Sequence, residues 1–127
     1  MKLNKDIKKR DELIFGEFDR EKYMGGLRNY RFMKVDLLKQ LVEQGFADPE
    51  TCQNDSPSIQ EFIDFLEENE GYTVFGYVIS DTRPDYRVSI EGLQKDEPTE
   101  TKEEIKKFFE FANGASELDI DGYAWWD

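Results

Sequence analysis

Two neighbouring segments rich in β-branched and aromatic residues constrain the fold more than any other feature of the chain. The segments YTVFGYVIS (72–80) and YRVSIEGLQ (86–94) are separated only by DTRPD. Valine, isoleucine, tyrosine and phenylalanine favour strands, whereas aspartate and proline favour turns. Because so short a connection joins only antiparallel strands, the two segments predict a β-hairpin.

The two strands of this hairpin differ in the pattern of their apolar side chains. In the first segment apolar residues occupy both faces, which is typical of a central strand. In the second segment Val88 and Ile90 alternate with Ser89 and Glu91, which is typical of a strand with one face in water. We therefore expect the first strand to be central and the second to lie at an edge of the sheet.

Three further segments have the spacing of amphipathic helices. The first is predicted over about 35–44, with Gly45 in the left-handed position that ends a helix and Phe46 packed back onto it. The second and third are predicted over about 57–69 and about 101–112. The side chains suited to cap the three N-termini are those of Asp36, of Ser58 with Glu61, and of Thr101 with Glu104.

The two ends of the chain have weaker patterns. Residues 1–30 fit no single period, which predicts a short helix or an irregular arm with residues 1–10 frayed. The segment SELDIDGYAWWD (116–127) contains a turn-forming Asp121-Gly122 pair. A hairpin around this pair would have arms of only about four residues, so we expect a single strand with a bend at Gly122.

Together these elements predict an α+β fold in one domain, residues 1–127, with a basic arm over 1–30 and an acidic core over 31–127. A charged linker, KDEPTE (95–100), joins the second strand to the third helix. Crossovers between parallel strands are right-handed, so the last strand is expected to lie parallel to the second strand and to pair with the first. The expected sheet is small and antiparallel or mixed, with about three strands in the order 2-1-3, covered by about three helices.

The residue types in the chain exclude several kinds of catalytic site. The chain has no histidine and one cysteine, Cys52, which excludes the usual catalytic triads, zinc sites and internal disulfides. The segment ELDIDG (117–122) has the spacing that begins a calcium loop, but the closing bidentate acid would fall beyond Asp127. We therefore expect no enzyme activity, no catalytic residue, no cofactor and no metal.

Charge is divided unevenly along the chain. Residues 1–40 carry 11 basic and 7 acidic side chains, a net charge of +4, whereas residues 41–127 carry 6 and 22, a net charge of −16. The acidic part repels nucleic-acid phosphates and suits a basic protein partner. The unpaired cysteine and the lack of a long apolar segment predict a cytoplasmic protein that makes no membrane contact.

Two groups of residues are candidates for contact with a partner. On the expected C-terminal strand, the side chains that point into the core are those of Leu118, Ile120, Ala124 and Trp126. The opposite side of that strand and the neighbouring first strand carry the partner-binding candidates Tyr77, Asp119, Asp121, Tyr123 and Trp125. The polar loop 46–57 either is anchored to the fold, which is favoured, or contacts a partner. Its candidate side chains are Asp48, Gln53, Asn54 and Asp55.

These features favour a small, non-enzymatic domain that binds a basic protein, in the manner of an immunity or inhibitor protein. A carboxylate-dependent enzyme or a small-ligand-binding protein is the first alternative, and an acidic mimic of nucleic acid is the second. The sequence leaves a homodimer open.

Overall fold

The computed structural model describes residues 1–97 and 101–127, which form four α-helices and one antiparallel sheet of five strands. The helices are α1 (Ile7–Phe15), α2 (Val35–Glu43), α3 (Ile59–Glu68) and α4 (Lys102–Phe111). The strands are β1 (Leu27–Met33), β2 (Tyr72–Ile79), β3 (Val88–Lys95), β4 (Glu117–Asp119) and β5 (Tyr123–Trp125). Their order is β1-β2-β3-β5-β4. The expected α+β class is confirmed, and the number and order of the strands differ from the expectation.

The hairpin of β2 and β3 forms as predicted, but only β2 has its predicted place in the sheet. β2 lies between β1 and β3, which confirms it as a central strand. β3 is not an edge strand, because β5 pairs with it and places Ala124 opposite Leu93. The polar residues of β3 show only that one face of the sheet is partly polar, and a strand can carry such residues without lying at an edge.

The C-terminal segment folds back on itself as the β4–β5 hairpin. The predicted single strand, the parallel crossover and the order 2-1-3 are therefore wrong. In the turn, the Asp119 carboxylate accepts a hydrogen bond from the backbone N–H of Asp121 at 3.0 Å, and Gly122 has a φ of +92°. Each arm has only three residues. Pairing of β5 with β3 supplies the support that an isolated hairpin lacks.

The first thirty residues contain a short helix, which is one of the two structures expected there, and the start of a strand that the sequence pattern did not reveal. β1 pairs with β2, and a bulge between Tyr30 and Met33 shifts the register. The bulge places Phe32 at a φ of +57° and breaks the alternation by which a strand is recognised. In α1 the side chain of Arg10 is fully buried, so the expectation that residues 1–10 are frayed is wrong.

Replacement of Phe32 by glycine is expected to leave the free energy of unfolding unchanged or to raise it by up to about 1 kcal/mol. The left-handed backbone disfavours a bulky residue, and the Phe32 side chain is 60 % exposed, so little apolar burial is lost. Urea denaturation measures the change, with Phe32→Ala as the control that shortens the side chain but keeps the strain. A loss greater than about 1 kcal/mol in the glycine variant would contradict the expectation.

The helices after α1 begin and end close to the predicted residues. At the end of α2 the N–H of Phe46 donates to the Leu41 carbonyl at 2.9 Å, and Gly45 has a φ of +80°, as expected. The N-cap of α2 is Lys34 and not Asp36. The predicted cap of α3 forms in full between Ser58 and Glu61, and at α4 the Thr101 hydroxyl accepts the Glu104 N–H as predicted. The predicted linker 95–100 lies partly outside the described residues. No helix in the described ranges is long and apolar enough to cross a membrane.

The core lies between the helices and one face of the sheet, with Val74, Val78 and Leu93 fully buried. Trp126 is 2 % exposed and its ring centroid lies 5.5 Å from that of Phe62, which confirms its predicted burial. The prediction failed for Leu118 and Ile120, which are exposed. The β4–β5 hairpin places Leu118 on the edge strand β4 and Ile120 in the turn that follows it.

Candidate functional site

The candidate site is the sheet face opposite to α3 and α4, which we call the outer face and define by Phe75, Tyr77, Gly92, Tyr123 and Trp125. Alternation along each strand brings these residues together. In the strand pairing Gly92 lies opposite Phe75 on one side and opposite Trp125 on the other. Tyr123 and Trp125 are two residues apart on β5 and share this face. The predicted grouping of Tyr77, Tyr123 and Trp125 on one face agrees with these positions.

Glycine at position 92 allows an aromatic pair to lie flat on the outer face. The rings of Phe75 and Tyr123 are stacked, with centroids 5.7 Å apart and planes 12° from parallel. A Cβ atom built on Gly92 would overlap the Phe75 ring. Any side chain at this position would therefore displace Phe75 and open the stack. Phe75 and Gly92 are not among the site residues predicted from the sequence, although their positions in the hairpin point to this face.

The rings of the outer face keep part of their surface in solvent. Phe75, Tyr77, Tyr123 and Trp125 are all half-buried. On the opposite face, the rings of Tyr72 and Trp126 are buried, and they pack on Phe108 of α4 and Phe62 of α3, respectively. A sheet face that presents four partly exposed rings is a surface suited to contact with another protein.

The polar loop 46–57 is anchored to the outer face by Gln53. The Gln53 side-chain oxygen accepts hydrogen bonds from the Tyr77 hydroxyl at 2.8 Å and the Ser89 hydroxyl at 3.0 Å. The guanidinium of Arg87 also donates to the Tyr77 oxygen, at 3.0 Å. The two predicted groups of site residues are therefore one surface, joined at Gln53 and Tyr77.

The other candidate side chains of the loop have different positions. The Asn54 side-chain amide donates to the backbone carbonyl of Asp127, and Asn54 itself has a φ of +52°. The Asp48 carboxylate accepts from the Glu50 N–H at 2.9 Å. Gln53 and Asn54 therefore anchor the loop to the rest of the fold, and the Asp48 carboxylate bonds only within the loop. The Asp55 carboxylate makes no hydrogen bond or ion pair with the other described residues.

Replacement of Gln53 by methionine is expected to lower the free energy of unfolding by about 1–3 kcal/mol. The substitution keeps the length of the side chain and removes the acceptor, so that two partly buried hydroxyls lose their partner. Urea denaturation measures the loss. Gln60→Met on the exposed side of α3 is the matched control, and equal losses for both variants would show that the loop is not anchored through Gln53.

Charges surround the outer face unevenly. On β4, Glu117 lies opposite Trp125 and Asp119 lies opposite Tyr123. Burial raises the pKa of the Tyr123 phenol, and the negative charge of Glu117 raises it further. Asp121 lies in the adjoining turn. The β4–β5 hairpin therefore gives one side of the outer face an acidic border.

The arginines near the other side of this face are engaged inside the fold. Arg83 forms a bidentate ion pair with Asp85, with N–O distances of 2.9 and 2.6 Å. Arg87 lies 3.6 Å from the same carboxylate. The Arg83 guanidinium lowers the pKa of the Asp85 carboxyl. Arg83 and Arg87 therefore both pair with an acid of the same chain.

No group of three metal-binding side chains occurs within residues 1–97 and 101–127. The acids of the segment 117–122 belong to the β4–β5 hairpin, whose turn uses the Asp119 carboxylate as a cap.

No known protein family, curated protein or solved structure matches the chain. The site is therefore interpreted from its own geometry.

Proposed function

We propose that this protein is a non-enzymatic, acidic, cytoplasmic domain that binds a basic protein partner through the outer face, as immunity and inhibitor proteins bind their targets. The observation that carries the proposal is the set of four partly exposed rings on one continuous face. Aromatic side chains at the centre of an interface commonly supply most of its binding energy. Among the four, Trp125 lies next to the acidic border and has the largest ring.

The charge of the chain supports a basic partner. The net charge over 41–127 is −16, and Glu117 and Asp119 place part of it at the border of the rings. Opposite charges on two proteins accelerate their encounter and orient them before the apolar surfaces meet. Cys52 is exposed and unpaired, which suits a reducing compartment and supports the cytoplasmic location that we propose.

Replacement of Trp125 by alanine is expected to weaken partner binding by at least about tenfold while the fold is retained. The experiment couples the purified protein to a resin and recovers partners from a lysate of its own source, at low and at high salt. The expected partner is a basic protein that the wild type captures and the Trp125→Ala variant does not. Its recovery should fall as salt rises, because salt screens the charges.

The control for this experiment is Phe109→Ala. Phe109 is 37 % exposed on α4, away from the outer face, so its loss should leave capture unchanged. Capture that is insensitive to Trp125→Ala, or equally sensitive to both variants, would overturn the proposed site. Capture of a second copy of this chain would replace the basic partner with a homodimer.

A further inference from the structure

A long surface groove lies between α3 and α4. It consists of three adjoining cavities of about 430, 390 and 400 Å³. The first two share Glu110 and Phe111, and the last two share Glu68, Asn69 and Lys107. Because neighbouring cavities share lining residues, they adjoin one another, and their combined volume exceeds that of a site for a single small ion.

The first cavity carries acidic side chains without counter-ions. Asp55, Glu61 and Glu110 line it, and no lysine or arginine does. No ion pair joins any of these three carboxylates to another residue in the described ranges. One oxygen of Glu61 accepts the Ser58 N–H of the α3 cap, which leaves the second oxygen for another donor. This end of the groove therefore attracts cations.

The same cavity contains a buried hydrogen-bond donor that lacks an acceptor. Trp126 is 2 % exposed and lines the cavity, and its indole Nε1–H has no hydrogen-bond partner within the described residues. A buried N–H group without an acceptor is uncommon, because it loses its bond to water and gains nothing in return. The donor is an independent indication that an acceptor from outside the chain belongs at this position.

The gap beside Gly114 leads from the cavity towards this donor. A Cβ atom at Gly114 would lie 4.0 Å from Trp126 Nε1 and 3.7 Å from the Asp55 carbonyl oxygen, which are ordinary contact distances. A space of about the size of a methyl group is therefore free between the indole N–H and that carbonyl, at the wall of the cavity. Glycine at this position keeps the space open.

We infer that this groove binds a basic peptide segment of the partner, an inference that rests on the proposed function and extends it to a second surface. A backbone carbonyl of the segment accepts the Trp126 Nε1–H, and its arginine or lysine side chains pair with Asp55, Glu61 and Glu110. The aliphatic part of such a side chain packs on the half-buried ring of Phe111. A metal ion or a simple amine satisfies the carboxylates but offers no acceptor to the indole.

The groove and the outer face are connected by three consecutive loop residues. Gln53 is hydrogen-bonded to Tyr77 on the outer face, and Asn54 is bonded to the carbonyl of Asp127. Asp55 then lines the groove. Trp125 and Trp126 are likewise neighbours in the chain. Trp125 lies on the outer face, and Trp126 lines the groove. A partner that covers the outer face is therefore positioned to extend a segment around this end of the sheet into the groove.

The test is an NMR titration of the 15N-labelled protein with an acetylated and amidated tetra-arginine peptide, at about 0.1 M salt. The two tryptophans give two indole N–H signals, and Trp125→Phe identifies which of them belongs to Trp126. We expect the Trp126 indole signal to move in a saturable manner, since its proton gains an acceptor. The Trp125 signal should stay nearly constant.

Two variants of the groove and one matched control accompany the titration. Glu110→Gln removes one carboxylate charge and is expected to weaken the peptide about two- to fivefold. Gly114→Ala fills the gap at ordinary contact distances, so the fold is kept while the shift of the Trp126 indole signal is lost. Glu43→Gln makes the same change of charge on α2, outside the groove, and should leave the affinity unchanged.

Three outcomes would overturn the inference: a Trp126 signal that does not move, a titration without saturation, or equal effects of Glu110→Gln and Glu43→Gln. The proposed function is tested separately, because Trp125→Ala affects the outer face and leaves the groove intact. If Trp125→Ala abolishes partner capture while Glu110→Gln and Gly114→Ala have no effect, the outer face is the binding site and the groove is not.

Discussion

Replacement of Trp126 by alanine is expected to lower the free energy of unfolding by about 3–5 kcal/mol. The Trp126 ring is almost fully buried and packs edge-on against Phe62, with the two ring planes at 89°. Its removal leaves a large cavity beneath α3 and α4, which the surrounding side chains fill only in part. Urea denaturation, followed by circular dichroism, measures the loss.

Two further variants separate packing from the other contributions of the tryptophans. Because the indole N–H of Trp126 has no acceptor in the described residues, Trp126→Phe loses ring volume but no hydrogen bond. It should therefore cost clearly less than the alanine change. Trp125→Ala removes a half-buried ring from the outer face and should cost less than about 1.5 kcal/mol. Equal losses for Trp125→Ala and Trp126→Ala would contradict the division of the two residues between binding and core.

Replacement of Asp11 by alanine is also expected to lower the free energy of unfolding by about 3–5 kcal/mol. Arg10 and Asp11 are both fully buried, and Arg10 Nε lies 3.0 Å from Asp11 Oδ1. Arg10 also donates to the Ile79 carbonyl at 3.0 Å and to the Tyr23 hydroxyl at 2.9 Å. The Tyr23 hydroxyl in turn donates to Asp11. Loss of the carboxylate leaves the guanidinium buried without its counter-ion.

The double variant Arg10→Met/Asp11→Leu tests whether the uncompensated charge causes this loss. Removal of both charges is expected to recover a substantial part of the stability that Asp11→Ala alone loses, because apolar residues often replace a buried ion pair without penalty. Denaturation curves of the three proteins provide the comparison. A double variant as unstable as Asp11→Ala would indicate that the hydrogen bonds, and not the unpaired charge, dominate.

The exposed pair Arg20–Asp81 is the control for this network. It is bidentate, with distances of 2.9 and 3.1 Å, but the Arg20 side chain is 52 % exposed and the Asp81 side chain is 26 % exposed. Asp81→Ala is therefore expected to cost no more than about 1 kcal/mol. The Arg20 hydrogen bond lowers the pKa of the Asp81 carboxyl in the folded state. The small contribution of this pair is accordingly present above the unfolded pKa of the carboxyl and is lost as the pH falls through the folded value.

Local signals in the sequence predicted most of the helices and the central hairpin. The cap at Ser58, the cap at Thr101 and the left-handed Gly45 act within one turn of the chain, so their effect is visible in the sequence. The predicted grouping of Tyr77, Tyr123 and Trp125 also agrees with the structure. It follows from side-chain alternation, which a strand keeps whatever its neighbours are.

The features that the sequence did not predict depend on contacts between distant segments. The alternating pattern of β1 is interrupted by its bulge and by the charged residue Arg28. The Arg28 guanidinium packs on the Phe15 ring, 3.6 Å from the ring centroid. The β4–β5 hairpin is too short to be stable alone, and the pairing of β5 with β3 stabilises it. Likewise, no pattern near Gln53 reveals that its side chain reaches Tyr77, which lies 24 residues away in the chain.

The sequence by itself thus determined the α+β class, three of the helices, the hairpin of β2 and β3 and the burial of Trp126, because capping and alternation are local properties. The tertiary structure decided the five-strand order and the docking of α1 through Arg10 and Asp11. It also decided the contact between the loop 46–57 and the outer face. Each of these three features depends on hydrogen bonds or ion pairs between groups that are distant in the chain. A single sequence contains no direct signal of such pairing.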